Sequence, residues 1–419
     1  MARICLVSPG HLSTNPRLVK EADALADAGH EVTLIIGDFS PWAREADKTI
    51  ISRRNVAQAI CFGPLAALPT RVFQFLRVRL ARWLVTTGLG SPAIVRAAWH
   101  PIAPNLVTAA KRVKADLYVA HYPAALPAAA IAARLHNGLY AFDAEDFHLG
   151  DPPDGIAYTS ERHMIRAIEE RYLPGCAYVT AASPGIADAY VNSYRIKRPT
   201  VVLNVFPRAR APTSPTPKGK AELCPSVYWF SQTIGPDRGL ECAVRAIGRA
   251  RSKPHLYLRG SPAAGFLDLL GRIAAEEGAA DRLHIFPCAP PAEMEQLAAA
   301  YDVGLLGETG HTPNRRIALT NKQFTYLLSG LPIVASATPS HVSFAAEAGN
   351  AVRLYAVDDA DELAATLDGL FENPHALDVA RAAAYALGQT RYNWDVEKSV
   401  LVAQVATCLK DSQLSGWQI

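Results

Sequence analysis

The sequence contains no long apolar run, although 50% of its 419 residues are hydrophobic. No stretch approaches the roughly twenty consecutive apolar residues that a membrane-spanning helix needs. The apolar start of the chain, residues 1–8, is too short for a signal peptide and leads directly into a turn. We therefore expect a cytoplasmic protein whose chain does not cross a membrane.

Charge and cysteine usage exclude further classes. The formal net charge is +3, which is small for this length, so the overall charge gives no reason to expect a nucleic-acid partner. The seven cysteines include no C-x-x-C pair. This spacing argues against a disulfide framework or a zinc site and favours buried, reduced thiols.

Two ligand-binding motifs are also missing. Residues 8–14, after the first predicted strand, lack the G-x-G-x-x-G spacing of a nicotinamide-dinucleotide site. No Asp-x-Asp pair ends a strand as a metal-bound diphosphate would require, and the acidic run 358–361 is better explained as a helix cap. We therefore expect neither a cofactor nor a metal.

The chain does contain short β-branched runs that alternate with amphipathic helical stretches. This alternation is typical of parallel sheets with helices on both faces. It occurs in two sets, separated by residues 207–225, which hold five prolines and almost no apolar periodicity. The predicted strands are 3–8, 32–36, 117–120, 139–142, 177–181, 200–203, 226–230, 255–259, 283–286, 303–306, 332–335 and 351–354.

The predicted fold class is α/β, with two doubly wound, Rossmann-like parallel-sheet domains that face a cleft. We place the first domain at 1–206, the linker at 207–225 and the start of the second domain at 226. Ligands of such sheets bind beyond the carboxyl ends of the strands. The residues directly after strands are therefore the first candidates for function.

One segment of the second domain, residues 320–336, predicts a short helix followed by a buried strand. Thr320 and Gln323 have the spacing of a capping box, and Lys322 lies in the first turn. A cation at a helix start is unfavourable unless an anion binds there. The segment therefore predicts an anion site.

A second segment, residues 231–241, has the same design. It predicts a strand, a glycine-containing turn and a helix whose first turn carries Arg238 and Gly239. Two basic helix starts in one domain indicate a diphosphate bound from two sides.

These two segments and three others resemble the retaining glycosyltransferases of GT-B architecture, of the large group 1 or family 4 type. The other stretches are 15–22 with 28–32, 119–121 and 391–395. The resemblance implies that residues 1–206 bind the acceptor and 226–390 bind a nucleotide-sugar donor. It also implies that a helix within 391–419 crosses back to the first domain.

The resemblance assigns the leaving group to the second domain. Arg238 and Lys322 would stabilise the departing diphosphate, helped by backbone N–H groups around Gly239 and Gln323. The remaining donor-binding candidates are Ser231, Gln232, Glu308, Asn321 and Thr325.

The chain departs from the family pattern at three positions. Gln232 stands where a second basic residue is usual, so Lys322 or the arginines at 315–316 would have to replace that charge. Ile317 and Thr325 stand where the family commonly carries two glutamates.

Thr325 can still bond a ribose hydroxyl, although more weakly than a carboxylate. We expect Glu308, just after the strand 303–306, to act as the substitute, with a solvated loop glutamate as the alternative.

In the first domain, His121 ends a strand and matches the histidine that touches the transferred sugar in similar enzymes; a structural histidine is the alternative. Gly10 and His11 follow the first strand, and Asn15 and Arg17 begin the first helix. We assign these four residues to acceptor binding. In this interpretation Arg17 opens toward the crevice and suits an anionic acceptor.

Residues 71–114 contain eight Lys or Arg and no Asp or Glu, interleaved with aromatic residues. Basic, aromatic, amphipathic helices can lie on an anionic membrane surface. Helices packed on the first sheet with solvated arginines are the alternative. The membrane interpretation predicts a lipid-linked acceptor and a peripheral location on the inner face of the membrane.

The function implied is that of a retaining, metal-independent glycosyltransferase. It would move a sugar from a nucleotide diphosphate to a glycan, lipid-linked or small-molecule hydroxyl by same-face attack, and the leaving phosphate oxygen would accept the proton. The alternatives are a GT-B relative with other chemistry, such as a sugar-nucleotide epimerase or a phosphorylase, and a non-catalytic GT-B scaffold.

Overall fold

The computed structural model describes residues 1–153, 155, 158–214 and 224–415. These residues form two compact units, which we call unit 1 and unit 2. Unit 1 comprises Met1–Val202 and the chain from Lys398 onward, and unit 2 comprises Leu203–Glu397. The last described helix, α17 (Trp394–Ser415), therefore begins in unit 2 and continues in unit 1.

Unit 1 contains a sheet of seven strands in the order β3-β2-β1-β4-β5-β6-β7, and all neighbours are parallel. The strands are β1 Arg3–Val7, β2 Glu31–Asp38, β3 Asn55–Cys61, β4 Leu117–His121, β5 Leu139–Ala144, β6 Val179–Ala181 and β7 Thr200–Val201. The helices are α1 Pro16–Asp27, α2 Pro41–Ile51, α3 Leu68–Thr86, α4 Pro92–Trp99, α5 Ala103–Ala110, α6 Leu126–His136, α7 Thr159–Tyr172 and α8 Pro184–Ser193.

Unit 2 contains a parallel sheet of six strands in the order β10-β9-β8-β11-β12-β13. The strands are β8 Ser226–Ile234, β9 His255–Pro262, β10 Leu283–Phe286, β11 Val303–Leu306, β12 Ile333–Ser336 and β13 Val352–Tyr355. The helices are α9 Leu240–Arg249, α10 Phe266–Glu276, α11 Met294–Ala298, α12 Pro313–Ile317, α13 Asn321–Ser329, α14 Pro339–Ala348, α15 Ala360–Phe371 and α16 Pro374–Thr390.

Helix α9 shows how the sequence pattern builds unit 2. Leu240, Val244 and Ile247 recur at helical spacing and are fully or almost fully buried in the core around Trp229. Burying one such aliphatic side chain contributes about 1.5–3 kcal/mol. The amphipathic pattern therefore fixes which face of the helix covers the sheet.

The strand order reverses between β1 and β4 in unit 1, and between β8 and β11 in unit 2. In a parallel sheet the loops that leave two such strands diverge to opposite faces and leave a crevice between them. The predicted site residues of unit 1 and those of unit 2 follow these strands.

The predicted parallel α/β architecture is confirmed.

One strand was missed. Strand β3 pairs with β2 at the edge of the unit 1 sheet, and most of its side chains are exposed. Its sequence, with Asn55 and Gln58, lacks a continuous apolar run. An edge strand needs only one partner and little burial, so hydrophobic periodicity does not detect it.

The described part of the predicted linker packs against unit 2. The carbonyl of Pro212 accepts a hydrogen bond from Tyr385 at 2.9 Å, and Arg210 Nη1 donates to the carbonyl of Pro291 at 3.3 Å. Residues 215–223 of the linker lie outside the described residues. The boundary between the units falls at Val202 and Leu203, before the predicted start of the linker at 207.

Candidate functional site

A small cavity lies where the loops after β8 and β11 meet in unit 2. Its volume is about 150 Å³. The loop after β8 supplies Pro236, Asp237 and Arg238, and the segment after β11 supplies Glu308, Gly310, His311 and Arg315. The cavity is therefore at the strand reversal of the unit 2 sheet, where parallel sheets bind ligands.

Two glycines allow these loops to touch. Gly239 has φ +67°, and a Cβ there would lie 2.0 Å from the carbonyl oxygen of Gly307. A Cβ at Gly307 would in turn lie 2.7 Å from the carbonyl oxygen of Arg238. Any larger residue would force the loops apart. The close contact places Arg238 beside Glu308.

Glu308 is a buried carboxylate with one paired oxygen. Lys322 Nζ lies 2.6 Å from its Oε1, while its Oε2 is buried and has no hydrogen-bond partner among the described residues. Burial by itself would raise the pKa of Glu308, but the charge of Lys322, aided by His341, lowers it to about 2. Glu308 is thus ionised and has one oxygen available to a ligand hydroxyl.

Two guanidinium groups in the cavity make no hydrogen bond or ion pair with a described residue: those of Arg238 and Arg315. Burial lowers the pKa of Arg238, and the like charge of Arg315 lowers it further, against the opposing effect of Glu308. An anion that binds between these two guanidinium groups would offset their mutual repulsion. The cavity is therefore suited to phosphate oxygens.

The two basic helix starts differ from the prediction. Arg238 and Gly239 are not in the first turn of α9, because Gly239 is the N-cap and Arg238 precedes it. Lys322 does lie in the first turn of α13, but its ammonium pairs with Glu308 and lies 5.6 Å from the centre of the Trp229 ring. Lys322 is not among the cavity-lining residues, and its role at the diphosphate stays a prediction.

The predicted capping box at the start of α13 is wrong. The Thr320 side chain makes no capping bond, and its Oγ1 is buried without a partner in the described part of the chain. Gln323 is fully buried, and neither its Oε1 nor its Nε2 has a partner among the described residues. These unpaired polar atoms lie in the same first turn as Lys322.

The other donor-binding candidates lie outside the cavity lining. Thr325 is fully buried and donates to Glu295 Oε1 at 3.2 Å, so its hydroxyl faces α11. Ser231 and Gln232 lie at the irregularity in the pairing of β8 with β9. Asn321 is the first residue of α13 and is half-buried. Their roles in donor binding stay predictions.

In unit 1, His121 belongs to a buried charge network. Its Nε2 donates to Glu21 at 2.8 Å, and its Nδ1 lies 3.4 Å from Asp143 Oδ2. Arg17 bonds both oxygens of Asp143, at 2.6 and 2.7 Å, and Thr180 donates to the same carboxylate at 2.5 Å. These side chains come from α1, β4, β5 and β6, next to the strand reversal of the sheet.

Opposite charges in this network shift the pKa values of their neighbours. Burial lowers the pKa of His121, but the hydrogen bond and charge of Glu21 outweigh it, so the net shift is upward. Burial raises the pKa of Asp143, but Arg17 and His121 bring it down to about 2. The ion pair between Arg17 and Asp143 therefore offsets the cost of burying both charges.

Glu21, His121 and Asp143 also have the geometry of a metal site, since one ligand atom of each lies within 4.8 Å of the others. The guanidinium of Arg17 already occupies both oxygens of Asp143. This side-chain set is therefore better described as ion pairs than as metal ligands.

The expectation that Arg17 opens toward a crevice is wrong. Its side chain is 4% exposed, and besides Asp143 it bonds the carbonyl of Val202 at 2.6 Å. His121 is 1% exposed, so its contact with a transferred sugar stays a prediction.

The remaining acceptor candidates make local structural contacts. The His11 Nε2 accepts from the backbone N–H groups of Phe39 and Ser40 at 2.9 and 3.0 Å, so its Nδ1 carries the proton and donates to Asp47 at 2.9 Å. Both ring nitrogens are thus occupied, and the histidine caps the start of α2.

Asn15 and Gly10 have similar local roles. Asn15 Oδ1 caps α1 by accepting from Leu18 N–H at 2.9 Å, while its Nδ2 is buried and has no partner among the residues that the structure describes. The carbonyl of Gly10 accepts from Gly37 N–H at 3.2 Å. Neither arrangement by itself identifies an acceptor, and these assignments stay predictions.

Sequence reasoning missed several residues of both sites. Arg315 was considered only as a replacement for the charge missing at Gln232, and His311 was not considered. The available signal was Thr312–Pro313, a helix cap directly before Arg315, which is confirmed by the bond from Arg315 N–H to Thr312 Oγ1 at 3.2 Å. Glu21 gave no signal, because its pairing spans 100 residues.

The comparisons with known proteins agree with this architecture. Residues 14–205 match the sequence model of a family described as "Glycosyl transferase 4-like domain". No curated protein sequence matches the chain.

Solved structures resemble almost the whole chain. A crystal structure of Anabaena Alr3699/HepE in complex with UDP has a TM-score of 0.72 at 16% identity, covering 97% of this chain and 100% of that one. A sucrose-phosphate synthase from Thermosynechococcus elongatus has a TM-score of 0.70 at 16% identity, covering 98% and 100%. A mutant of S. aureus TarM, in complex with fondaparinux, α-GlcNAc-glycerol and UDP, has a TM-score of 0.66 at 9% identity, covering 98% and 100%.

The chain has the GT-B fold. At these identities the likeness establishes the architecture alone. In this GT-B chain, the arginine-containing cavity of unit 2 and the His121 network of unit 1 both lie at strand reversals.

Proposed function

We propose that the protein is a retaining glycosyltransferase that binds the diphosphate of a nucleotide sugar in the unit 2 cavity. The observation that carries this proposal is the pair of guanidinium groups of Arg238 and Arg315, which make no hydrogen bond or ion pair with a described residue. They lie beside Glu308, whose buried Oε2 also has no partner in the described part of the chain. The two cations suit a diphosphate, and the carboxylate suits a hydroxyl of the sugar or ribose.

The chemistry that follows is stabilisation of the leaving group. When the bond between the sugar and the diphosphate breaks, negative charge builds on the phosphate oxygen, and the preorganised guanidinium groups stabilise that charge. The backbone N–H groups at the start of α9 add to this stabilisation. The acceptor hydroxyl attacks from the same face, and its proton passes to the leaving phosphate oxygen.

We further propose that the reaction needs no metal, because Arg238 and Arg315 supply the two positive charges at the diphosphate. The donor is a uridine diphosphate sugar in this proposal, since solved relatives of the same fold bind UDP and UDP-glucose. The acceptor is a hydroxyl of a glycan, a lipid-linked glycan or a small molecule.

Thermal unfolding in the presence of nucleotide sugars tests the donor proposal. A donor at a hundredfold excess over its dissociation constant is expected to raise the free energy of unfolding by about 2.7 kcal/mol. We expect this stabilisation to be accompanied by slow hydrolysis of the same donor when EDTA is present and no acceptor is added.

The nucleoside and the free sugar, which lack the diphosphate, serve as controls and are expected to have no effect. The absence of stabilisation by every nucleotide sugar in a panel would contradict the proposal. Stabilisation without hydrolysis or transfer would favour the non-catalytic alternative.

We also propose that unit 1 associates with an anionic membrane surface through α3. Every helix in the described part of the chain is too short or too polar to span a bilayer. On α3, however, Leu68, Val72, Phe73, Phe75, Leu76, Leu80 and Trp83 are between 49% and 70% exposed.

The charges of α3 suit the same partner. The helix carries four arginines and no acidic residue. Arg77 and Arg82 donate to the carbonyls of Pro101 and Ala98 and so attach α3 to its neighbours, while Arg71 and Arg79 are exposed. Exposed apolar side chains mixed with exposed cations bind the interface of an anionic bilayer.

Vesicle sedimentation at low salt tests this association. The protein is expected to bind vesicles that contain phosphatidylglycerol and not vesicles of phosphatidylcholine alone. Replacing Phe73, Phe75 and Trp83 by serine is expected to weaken binding at least tenfold, since each buried aromatic contributes about 1.5–3 kcal/mol.

Trp42→Ser is the matched control, because Trp42 is 63% exposed on α2, outside the patch. Equal binding of both vesicle types, or unchanged binding of the triple variant, would contradict the membrane proposal.

A further inference from the structure

Unit 1 contains a second, larger cavity of about 630 Å³. Gly138 and Tyr140, at the start of β5, and Gly175, before β6, form part of its wall. His121 and Asp143 lie at the opposite, carboxyl ends of β4 and β5. The cavity is therefore separate from the buried charge network.

Three arginines from three different helices converge on this cavity. Arg96 comes from α4, Arg134 from the last turn of α6 and Arg171 from the last turn of α7. No Asp or Glu is among the described lining residues. Like charges that share a cavity repel one another, and a bound anion would relieve that repulsion.

Helix-dipole compensation accounts for only part of this arrangement. Arginines in last helical turns interact favourably with the C-terminal end of a helix, which explains Arg96, Arg134 and Arg171 individually. It does not explain why the three meet at one cavity, or why Arg96 Nε is buried with no hydrogen-bond partner among the described residues. A buried N–H without an acceptor costs free energy that a ligand oxygen would recover.

The start of α4 adds donors to the same cavity. Ser91, the N-cap, makes no side-chain capping bond, and Ser91, Pro92 and Ala93 line the cavity. Because Pro92 has no N–H, the first N–H groups of α4 are those of Ala93 and Ile94, and neither receives a capping bond from Ser91. Ala130, Ile131 and Ala133 of α6 add apolar side chains to the lining.

The volume of the cavity exceeds what a free phosphate needs and lies in the usual range of organic ligands. The lining combines a cationic part with an apolar part. The ligand that fits is a phosphate group attached to a larger, partly apolar molecule.

We propose that this cavity binds the phosphate of an anionic membrane lipid. Helix α3 ends at Thr86 and α4 begins at Pro92, so only five residues, including the 61% exposed Leu89, separate the apolar helix from the cavity wall. A lipid whose chains contact α3 can therefore place its headgroup phosphate among the arginines. The phosphate site stands independently, and only the lipid as its source depends on the proposed membrane association.

Binding of inorganic phosphate, measured by calorimetry, tests the site itself. The background is the double variant Arg238→Ala/Arg315→Ala, which removes the two arginines of the unit 2 cavity. Adding Arg96→Gln, Arg134→Gln and Arg171→Gln is expected to raise the dissociation constant of phosphate at least tenfold. An unchanged dissociation constant would overturn the proposal.

Two further variants guard against loss of folding. Arg134→Gln alone, at an exposed side chain, is expected to raise the dissociation constant about threefold with an unchanged melting temperature. Arg195→Gln, at an exposed arginine outside the cavity, is expected to leave binding unchanged.

Vesicles that contain phosphatidylglycerol then identify the source of the phosphate. If the three glutamine substitutions weaken vesicle binding at least tenfold, the lipid is supported. If they abolish phosphate binding but leave vesicle binding unchanged, the lipid is overturned in favour of a soluble phosphate. If the parent protein binds phosphate but no vesicle, the membrane association fails while the phosphate site stands.

Discussion

Replacing Arg238 by alanine is expected to lower the rate of sugar transfer or donor hydrolysis by a factor of 10²–10³, or about 2.7–4 kcal/mol of transition-state stabilisation. Arg238 lines the unit 2 cavity, and its guanidinium makes no hydrogen bond or ion pair with a described residue. It is therefore free to act on charge that develops on the diphosphate. Single-turnover kinetics with a saturating donor measure the effect.

Arg272→Ala is the matched control, because Arg272 is an exposed arginine of α10 in the same unit and lies outside the cavity. Its turnover is expected to equal that of the parent. Turnover of Arg238→Ala within threefold of the parent would remove Arg238 from the mechanism.

Replacing Arg17 by methionine is expected to destabilise the protein by about 3–5 kcal/mol. The substitution leaves Asp143, a carboxylate 2% exposed, without its bidentate partner and removes the hydrogen bond to Val202. Without Arg17, less opposite charge remains to offset the cost of burying the Asp143 carboxylate. Denaturant titration of the free energy of unfolding measures the loss.

Two comparisons make this prediction specific. Arg3→Met breaks an ion pair with Asp116 in which both side chains are more than 40% exposed, and it is expected to cost far less. The double variant Arg17→Met/Asp143→Leu removes the whole buried pair and is expected to be more stable than Arg17→Met. A loss from Arg17→Met no larger than that from Arg3→Met would contradict the account of the network.

The pairing of Glu308 with Lys322 shows where sequence reasoning reached its limit at the donor site. Both residues were predicted near the site, because each follows a strand or starts a helix at the correct edge of the sheet. Their 2.6 Å contact could not be predicted, since it depends on how the loop after β11 meets the first turn of α13. The contact pairs the Lys322 ammonium with Glu308, and the direct role of Lys322 at the diphosphate stays a prediction.

His11 and Arg17 show the same limit in unit 1. Their positions after the first strand and in the first helix were correct, but their exposure was not. His11 is buried against Asp47, which lies 36 residues away in the chain. Arg17 is buried against Asp143, which lies 126 residues away. A sequence pattern records the local spacing of polar residues and contains no information about such distant partners.

The sequence by itself determined the α/β alternation of this protein, the cap of the first helix at Asn15, and the residues that end the strands. These features depend on contacts within a few residues, so periodicity and capping patterns record them. Only the tertiary structure decided which polar side chains face a ligand and which neutralise each other. Burial and ion pairing depend on strand order, which brings together residues that are far apart in the chain.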